Sequence, residues 1–233
     1  MALDIAETED TAIALAGARL APDVSGALWW GEQGTLVVSD LHLEKGSAYA
    51  ARGVALPPYD TRTTLQRLRR LLARFRPRRV IALGDSFHDK DTDARMGEYD
   101  RGALAELVGQ VERWVWIAGN HDPAPPAHLG GEIAEELRLD GLTFRHEPQG
   151  EEGEVAGHLH PCARVGGRGR ALRRRCFATD GRSLVAPAFG AFAGGLNVLD
   201  AAFAAVFGDA PPTVHVLGRD RVWPVGAERL LPD

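Results

Sequence analysis

The chain of 233 residues has only two cysteines, Cys162 and Cys176, and they form no CxxC pair. Two thiols are too few for a disulfide framework, so both are read as reduced. No apolar run approaches the roughly 20 residues that cross a bilayer. The opening "MALDIAETED" is acidic and polar, where a secretory leader would be basic and then apolar. A cytoplasmic address without membrane attachment is therefore expected. An excess of positive charge is also missing: the formal net charge is −5, which provides no global attraction for nucleic acid. Internal repeats, low-complexity linkers and composition shifts are absent as well. A single domain spanning 1–233 is expected, with residues 1–10 as a loose tail.

What is present reads as an ordinary folded chain, 45% hydrophobic and 25% charged. Charge is nevertheless clustered. "QRLRRLLARFRPRR" (66–79) carries seven arginines and "RVGGRGRALRRRC" (164–176) six, the latter without an acid. In the first run Leu65, Leu68, Leu71, Leu72 and Phe75 recur at helical spacing, so its arginines are expected on the solvated face of an amphipathic helix. The second, with Gly166, Gly167 and Gly169, reads as a loop suited to phosphate contact or to plain solubility.

Short apolar runs read as buried strands at "TLVVS" (35–39), "RRVIAL" (78–83), "RWVWIA" (113–118), "LTFR" (142–145) and "EVA" (154–156). Helical patterns fall between the first three, at about 61–75 and 100–110; later strand-like runs have little helix among them. The pattern predicts an α/β chain with two sheets face to face and helices outside. Trp29 and Trp30 read as strand residues of a hairpin.

Nearly every strand-like run is followed at once by a residue able to bind a metal: "SDLH", "LGDS", "AGNHD", "RHE", "GHLH". Singly, each is weak evidence, since turns supply such residues by chance. Jointly, the order DxH, GD, GNH, H, GHxH is what a two-metal site needs. Such a site requires a bridging carboxylate with imidazole and amide donors around each ion. Asp85 can bridge; Asp40, His42 and His160 would complete one ion, with Asn120, His146 and His158 around the other. If residues 157–160 are extended, period two points His158 and His160 the same way, one imidazole to each ion.

These motifs resemble the calcineurin-like metallophosphoesterase superfamily over residues 36–160. The longer "SDLHLEKGSAYAARGVALP", "GHLHPCARVGGRGRALRRRCF" and "LVAPAFGAFAGG" extend the likeness over about 27–196, toward the bacterial ligase-associated DNA damage response phosphoesterase and endonuclease group. The resemblance implies a four-layer α-β-β-α sandwich of two mixed sheets. It also implies two divalent ions, manganese foremost with iron or zinc as alternatives, and attack on phosphorus by a metal-bound hydroxide. It further implies a phosphodiester substrate, nucleic acid in DNA repair, with a DNA ligase, helicase or nuclease as partner. A nucleotide phosphatase or pyrophosphatase and a non-catalytic scaffold are the alternatives.

His121 follows Asn120 directly, which would place its imidazole beside the phosphate, outside the metal shell, as a charge stabiliser or proton donor. In "GDSFHDK" His88 stands where the phosphoprotein phosphatase branch has an aspartate. Lining the pocket, orienting His121 and capping a turn are its open roles. Lys45, Arg52, Arg164 and Arg168 are candidates for holding a substrate backbone.

Overall fold

The computed structural model describes residues 11–54, 56–57, 59–122, 126–167 and 170–233. The expected tail and Arg168 lie outside the described residues.

One sheet runs in the order β1 (Ile13–Leu15), β2 (Ala18–Pro22), β3 (Leu28–Trp30), β4 (Thr35–Val38), β5 (Arg79–Leu83), β6 (Arg113–Ile117) and β7 (Glu132–Ala134). Its first four strands are antiparallel neighbours; β4 through β7 are parallel. The parallel crossovers carry α1 (Lys45–Ala51), α2 (Asp60–Phe75), the short α3 (Thr92–Arg95) and α4 (Glu98–Gly109). The second sheet contains β8 (Glu136–Leu139), β9 (Leu142–Arg145), β10 (Glu154–Ala156), β11 (Cys162–Gly167), β12 (Arg170–Thr179), β13 (Ser183–Val185), β14 (Thr213–Leu217), β15 (Val222–Val225) and β16 (Leu230–Leu231). It too is mixed: β9, β10 and β13 are parallel, the other pairings antiparallel.

Alternation along the strands builds the layers. Leu36, Val38, Val80, Ala82, Trp114 and Trp116 face α2 and α4, meeting Leu65, Leu68, Leu72, Leu104 and Leu107. Val37, Ile81, Leu83, Val115 and Ile117 face the other way, onto Phe144, Val155, Phe177 and Leu184 of the second sheet. Cys176, Ala178, Val214 and Val216 cover that sheet's far side with Phe203 and Val206 of α5 (Ala201–Phe207). This is the expected α-β-β-α order, held by burial of both faces of each sheet. Trp29 and Trp30 lie in strand β3, Trp30 buried and Trp29 stacked on Phe75 at 5.0 Å. Both cysteines are free and buried. Among the described residues no helix is long and apolar enough to cross a membrane.

Three expectations are corrected. The arginine-rich stretch 164–176 is not a loop: β11 and β12 pair as an antiparallel hairpin from Cys162↔Arg175 to Gly167↔Arg170, and β16 pairs with β11. Dense charge and glycine conceal the strand pattern, which the long pairing partner restores. Residues 157–160 are not extended, because His158 and His160 take φ of 68° and 46°. Finally, Arg67 does not join the solvated face of α2; it is half-buried and its Nη1 donates to the Phe189 carbonyl at 2.7 Å. The hairpin β1–β2 was not foreseen. It turns on Ala16 and Gly17, both at positive φ, where Asn-Gly is the usual signal.

Candidate metal centre

Parallel pairing brings strand ends together. Val38 aligns with Ala82, and Leu83 with Ile117, so the chain leaves β4, β5 and β6 side by side into "SD", "GD" and "AGNHD". In the facing sheet Ala156 aligns with Arg145, which sets Gly157-His158 beside His146. Ligand sites in layered α/β folds lie at such carboxyl ends.

Sharp backbone turns aim the side chains. Asp40, His42, Asp85, His158 and His160 all have φ between 43° and 68°, five of the ten non-glycine positive-φ residues described. Strain of this kind concentrates at functional sites, where the surrounding packing enforces it. The motif glycines are needed for space. A Cβ on Gly84 would overlap the His146 ring, and one on Gly157 would overlap Ser39 Oγ and Asp40 Oδ2.

Two groups of donors result: Asp40, His42 and His160, and Asp85, His146 and His158. Within each group the donor atoms lie within 4.8 Å of one another. In the first, His42 Nε2 and His160 Nε2 are 3.3 Å apart, and His160 Nε2 is 3.1 Å from Asp40 Oδ1. Asp40 Oδ2 is engaged by Ser39 Oγ and by the His158 amide, which leaves Oδ1 buried without a hydrogen bond. In the second, His146 Nδ1 donates to the Leu83 carbonyl at 2.9 Å. Its Nε2 therefore faces Asp85 Oδ1 at 3.4 Å and His158 Nδ1 at 3.2 Å. Asp85 Oδ1 also accepts the His121 amide at 2.9 Å. Asn120 is exposed; its Nδ2 donates to Glu147 Oε1, and both line a cleft of about 280 Å³ with His146, Arg145, Glu135 and Glu136.

The electrostatics suit cations. Burial favours neutral Asp40, but His160 beside it, with His146 and His42, holds its carboxyl below the usual range. Burial likewise opposes ionised Asp85, and the His146 hydrogen bond outweighs it, holding that pKa down. Burial pulls His42 down to about 4 and lowers His158, so both are neutral donors near pH 7. Burial also works against a proton on His146, yet its Asp85 hydrogen bond and the Asp40 charge push it up to about 9. Imidazole nitrogens facing each other and an orphaned carboxylate oxygen are what a divalent ion would satisfy. The residues present fit two such ions.

The other expected residues surround these groups. His121 is exposed, Nε2 3.9 Å from Asp85 Oδ2. His88 is buried and stacks on the His121 ring at 5.6 Å. Tyr49 lies 5.8 Å beyond His88, with Lys45 Nζ 6.0 Å over its ring. Arg52 is exposed and close enough to help depress the His88 pKa, which burial lowers first. Arg164 is not brought to the donors: its Nη1 bonds the Pro232 carbonyl.

Two residues escaped the sequence reading. Asp122 is buried, and its Oδ2 accepts the Phe87 amide at 3.0 Å, tying the GNH loop to the GD loop. Burial pushes its carboxyl up to about 7. Glu147 holds Asn120. Both sit beside recognised motif residues, the only signal they gave.

Comparison with known proteins places this geometry. The profile of the calcineurin-like phosphoesterase family matches residues 35–220. The chain is similar to the crystal structure of Pseudomonas putida nuclease MPE, at 30% identity over 92% of this chain and 98% of that one, with a TM-score of 0.71. A phosphoesterase from E. coli, Yfce, is a distant likeness at 14% identity over 82% of this chain and 97% of that one, TM-score 0.39. A search of curated protein sequences gives no significant match. With most of its length inside the family profile, and with its clustered carboxylates and imidazoles at the strand ends, the chain belongs to the calcineurin-like phosphoesterase family and is a hydrolase of phosphoester bonds.

Proposed function

We propose that this protein is a dinuclear-metal phosphodiesterase, a nuclease that acts on DNA in repair. The observation that carries the reading is the pair of adjacent donor groups, each with a carboxylate and two imidazoles. The likeness to the Pseudomonas putida nuclease supports the polynucleotide substrate. We further read the centre as taking manganese, with iron or zinc as alternatives, in a single-domain cytoplasmic protein. A DNA ligase, helicase or nuclease partner is part of the same reading, by the group resemblance.

Two divalent ions supply the acidified water and the charge neutralisation that phosphodiester cleavage requires. The chain supplies the rest. Asp40, His42 and His160 would hold one ion, and Asp85, His146 and His158, with Asn120 beside them, the other. His121 donates Nδ1–H to the His88 carbonyl at 2.8 Å, so its Nε2 turns toward the centre. With a second proton on Nε2, as the imidazolium, it stabilises the phosphoryl oxygens or hands that proton to the leaving oxygen. Lys45 and Arg52, on the His88 side, meet the phosphate backbone.

The test is hydrolysis of single-stranded DNA beside bis(p-nitrophenyl) phosphate with manganese, comparing wild type with Asp85→Asn. Wild type is expected to cut both and the variant neither. Preference for p-nitrophenyl phosphate over the diester would replace this reading with a monoesterase.

A further inference from the structure

The segment 188–196 links the backs of the two histidine-bearing loops. At one end Phe189 N donates to Ser39 O at 2.7 Å and Gly190 N to Asp40 O at 3.2 Å. At the other, Cys162 N donates to Leu196 O at 2.8 Å, and Gly195 packs so close to the His160 carbonyl that a Cβ would overlap it. The two ends of the segment therefore reach the loops that carry Asp40 and His160.

Three guanidinium groups hold its carbonyls: that of Arg173, paired with Asp233, donates from Nη2 to Gly195 O at 2.6 Å, and two others act at its start. Arg67 Nη1 donates to Phe189 O at 2.7 Å, with its guanidinium carbon 5.3 Å from the Phe189 ring, and Arg175 Nη1 donates to Ala188 O at 2.6 Å. Neither has a carboxylate partner among the described residues. Three other arginines of α2 do: Arg62 pairs with Asp100, Arg69 with Glu106, Arg74 with Asp23. Each guanidinium has five N–H donors, and these bonds use one Nη1 in each. Burial weakens the hold on the proton at both, and the charge of Arg67 adds to this at Arg175. Two half-buried like charges without a counter-ion are costly unless an anion reaches them. The other flank is acidic: Glu135, Glu136 and Glu147 line the cleft beside Asn120 and His146, against one arginine, Arg145, which pairs with Glu136.

We propose that Arg67 and Arg175, with the 190–195 turn that follows the carbonyls they hold, form a phosphate-gripping subsite for single-stranded nucleic acid on the Asp40 side of the metal centre. The proposal deepens the nuclease reading and depends on it. A polyanion is repelled by the glutamate flank and drawn across this one, so the strand enters the centre with one polarity of charge contact. The guanidinium donors meet phosphate oxygens, and the small residues of the turn let the backbone approach closely.

The experiment is a salt series of binding to an oligothymidylate with a cleavage-resistant phosphorothioate backbone. It uses the full chain with manganese and compares wild type, Arg67→Gln, Arg175→Gln and the exposed Arg70→Gln. Each lost phosphate contact reduces the slope of log affinity against log salt by about 0.7 for a single strand. That reduction is expected for Arg67→Gln and Arg175→Gln and not for Arg70→Gln. Wild-type slopes in both variants would overturn the subsite and leave the arginines as braces of the segment. If either variant fails to fold, the Nε–H resonances of the two arginines in wild type give the answer. They shift on binding if the subsite exists; unshifted signals at saturation overturn it. Wild type that hydrolyses bis(p-nitrophenyl) phosphate but ignores the oligonucleotide would sink the nucleic-acid reading, and the subsite with it, while leaving the phosphodiesterase intact.

Discussion

The imidazole of His121 lies against that of His88, ring planes 19° apart, and its Nδ1 reaches the His88 carbonyl oxygen at 2.8 Å. One residue thus sets both the tautomer and the tilt of the other. His121→Ala is expected to lower kcat on bis(p-nitrophenyl) phosphate by about 10²- to 10⁴-fold. His88→Ala retains the carbonyl and loses the stack, so its loss is smaller and His88→Phe recovers part of it, with metal content unchanged in all three. Wild-type kcat in His88→Ala would show that the stacking has no positioning role.

The carboxylate of Glu147 accepts from Asn120 Nδ2, which leaves the amide oxygen outside that bond as a donor for an ion. Partners that orient metal ligands typically matter about 10- to 100-fold in metal affinity. Glu147→Ala should therefore weaken manganese binding by that factor at one ion of the pair, read by calorimetric titration. Equal loss at both ions, or none, contradicts the assignment of Asn120 to a single ion.

Gly157 has no room for a side chain. Gly157→Ala should destabilise the fold by about 1–3 kcal/mol through overpacking, measured by urea unfolding. Because the added methyl would meet Ser39 Oγ first, Ser39→Ala in the same chain should restore part of the loss. Absence of rescue would place the strain elsewhere.

His215 lies in β14 between β12 and β15, buried, with Nδ1 lacking a partner. Burial lowers its pKa, so the folded state prefers the neutral ring. The sign follows: this contribution to stability is present above the unfolded value of about 6.5 and is lost as pH falls through the lowered folded value. Melting temperatures of wild type and His215→Leu should converge or cross as pH falls from about 6.5 through the lowered folded value. Parallel curves would mean that His215 contributes nothing to acid sensitivity.

Much was legible in the sequence because it depends on short-range pattern. Apolar runs with turn signals located the central strands, and helical spacing of Leu65, Leu68, Leu72 and Phe75 located α2 and its buried face. The candidate site was also legible, since its donors directly follow strands and their order along the chain is distinctive. The structure gathers Asp40, His42 and His160 in one group and Asp85, His146 and His158 in another. The extended backbone expected at 157–160 is not the cause. His158 and His160 diverge through left-handed backbone, a conformation that costs energy locally and persists because Gly157 is wedged against Ser39 and Asp40.

The remainder was decided by tertiary structure. No spacing rule links His121 to the His88 carbonyl, Asn120 to Glu147, or Arg67 to Phe189, separated by 33, 27 and 122 positions. Sheet register and layer packing set those distances. The hairpin of β11 and β12 is likewise specified by pairing with a distant edge and by burial of Cys176 and Ala178, which outweigh a local composition of glycine and arginine. Residue type and order along the chain determine which chemistry is available; only the packed sheets determine which atoms face one another.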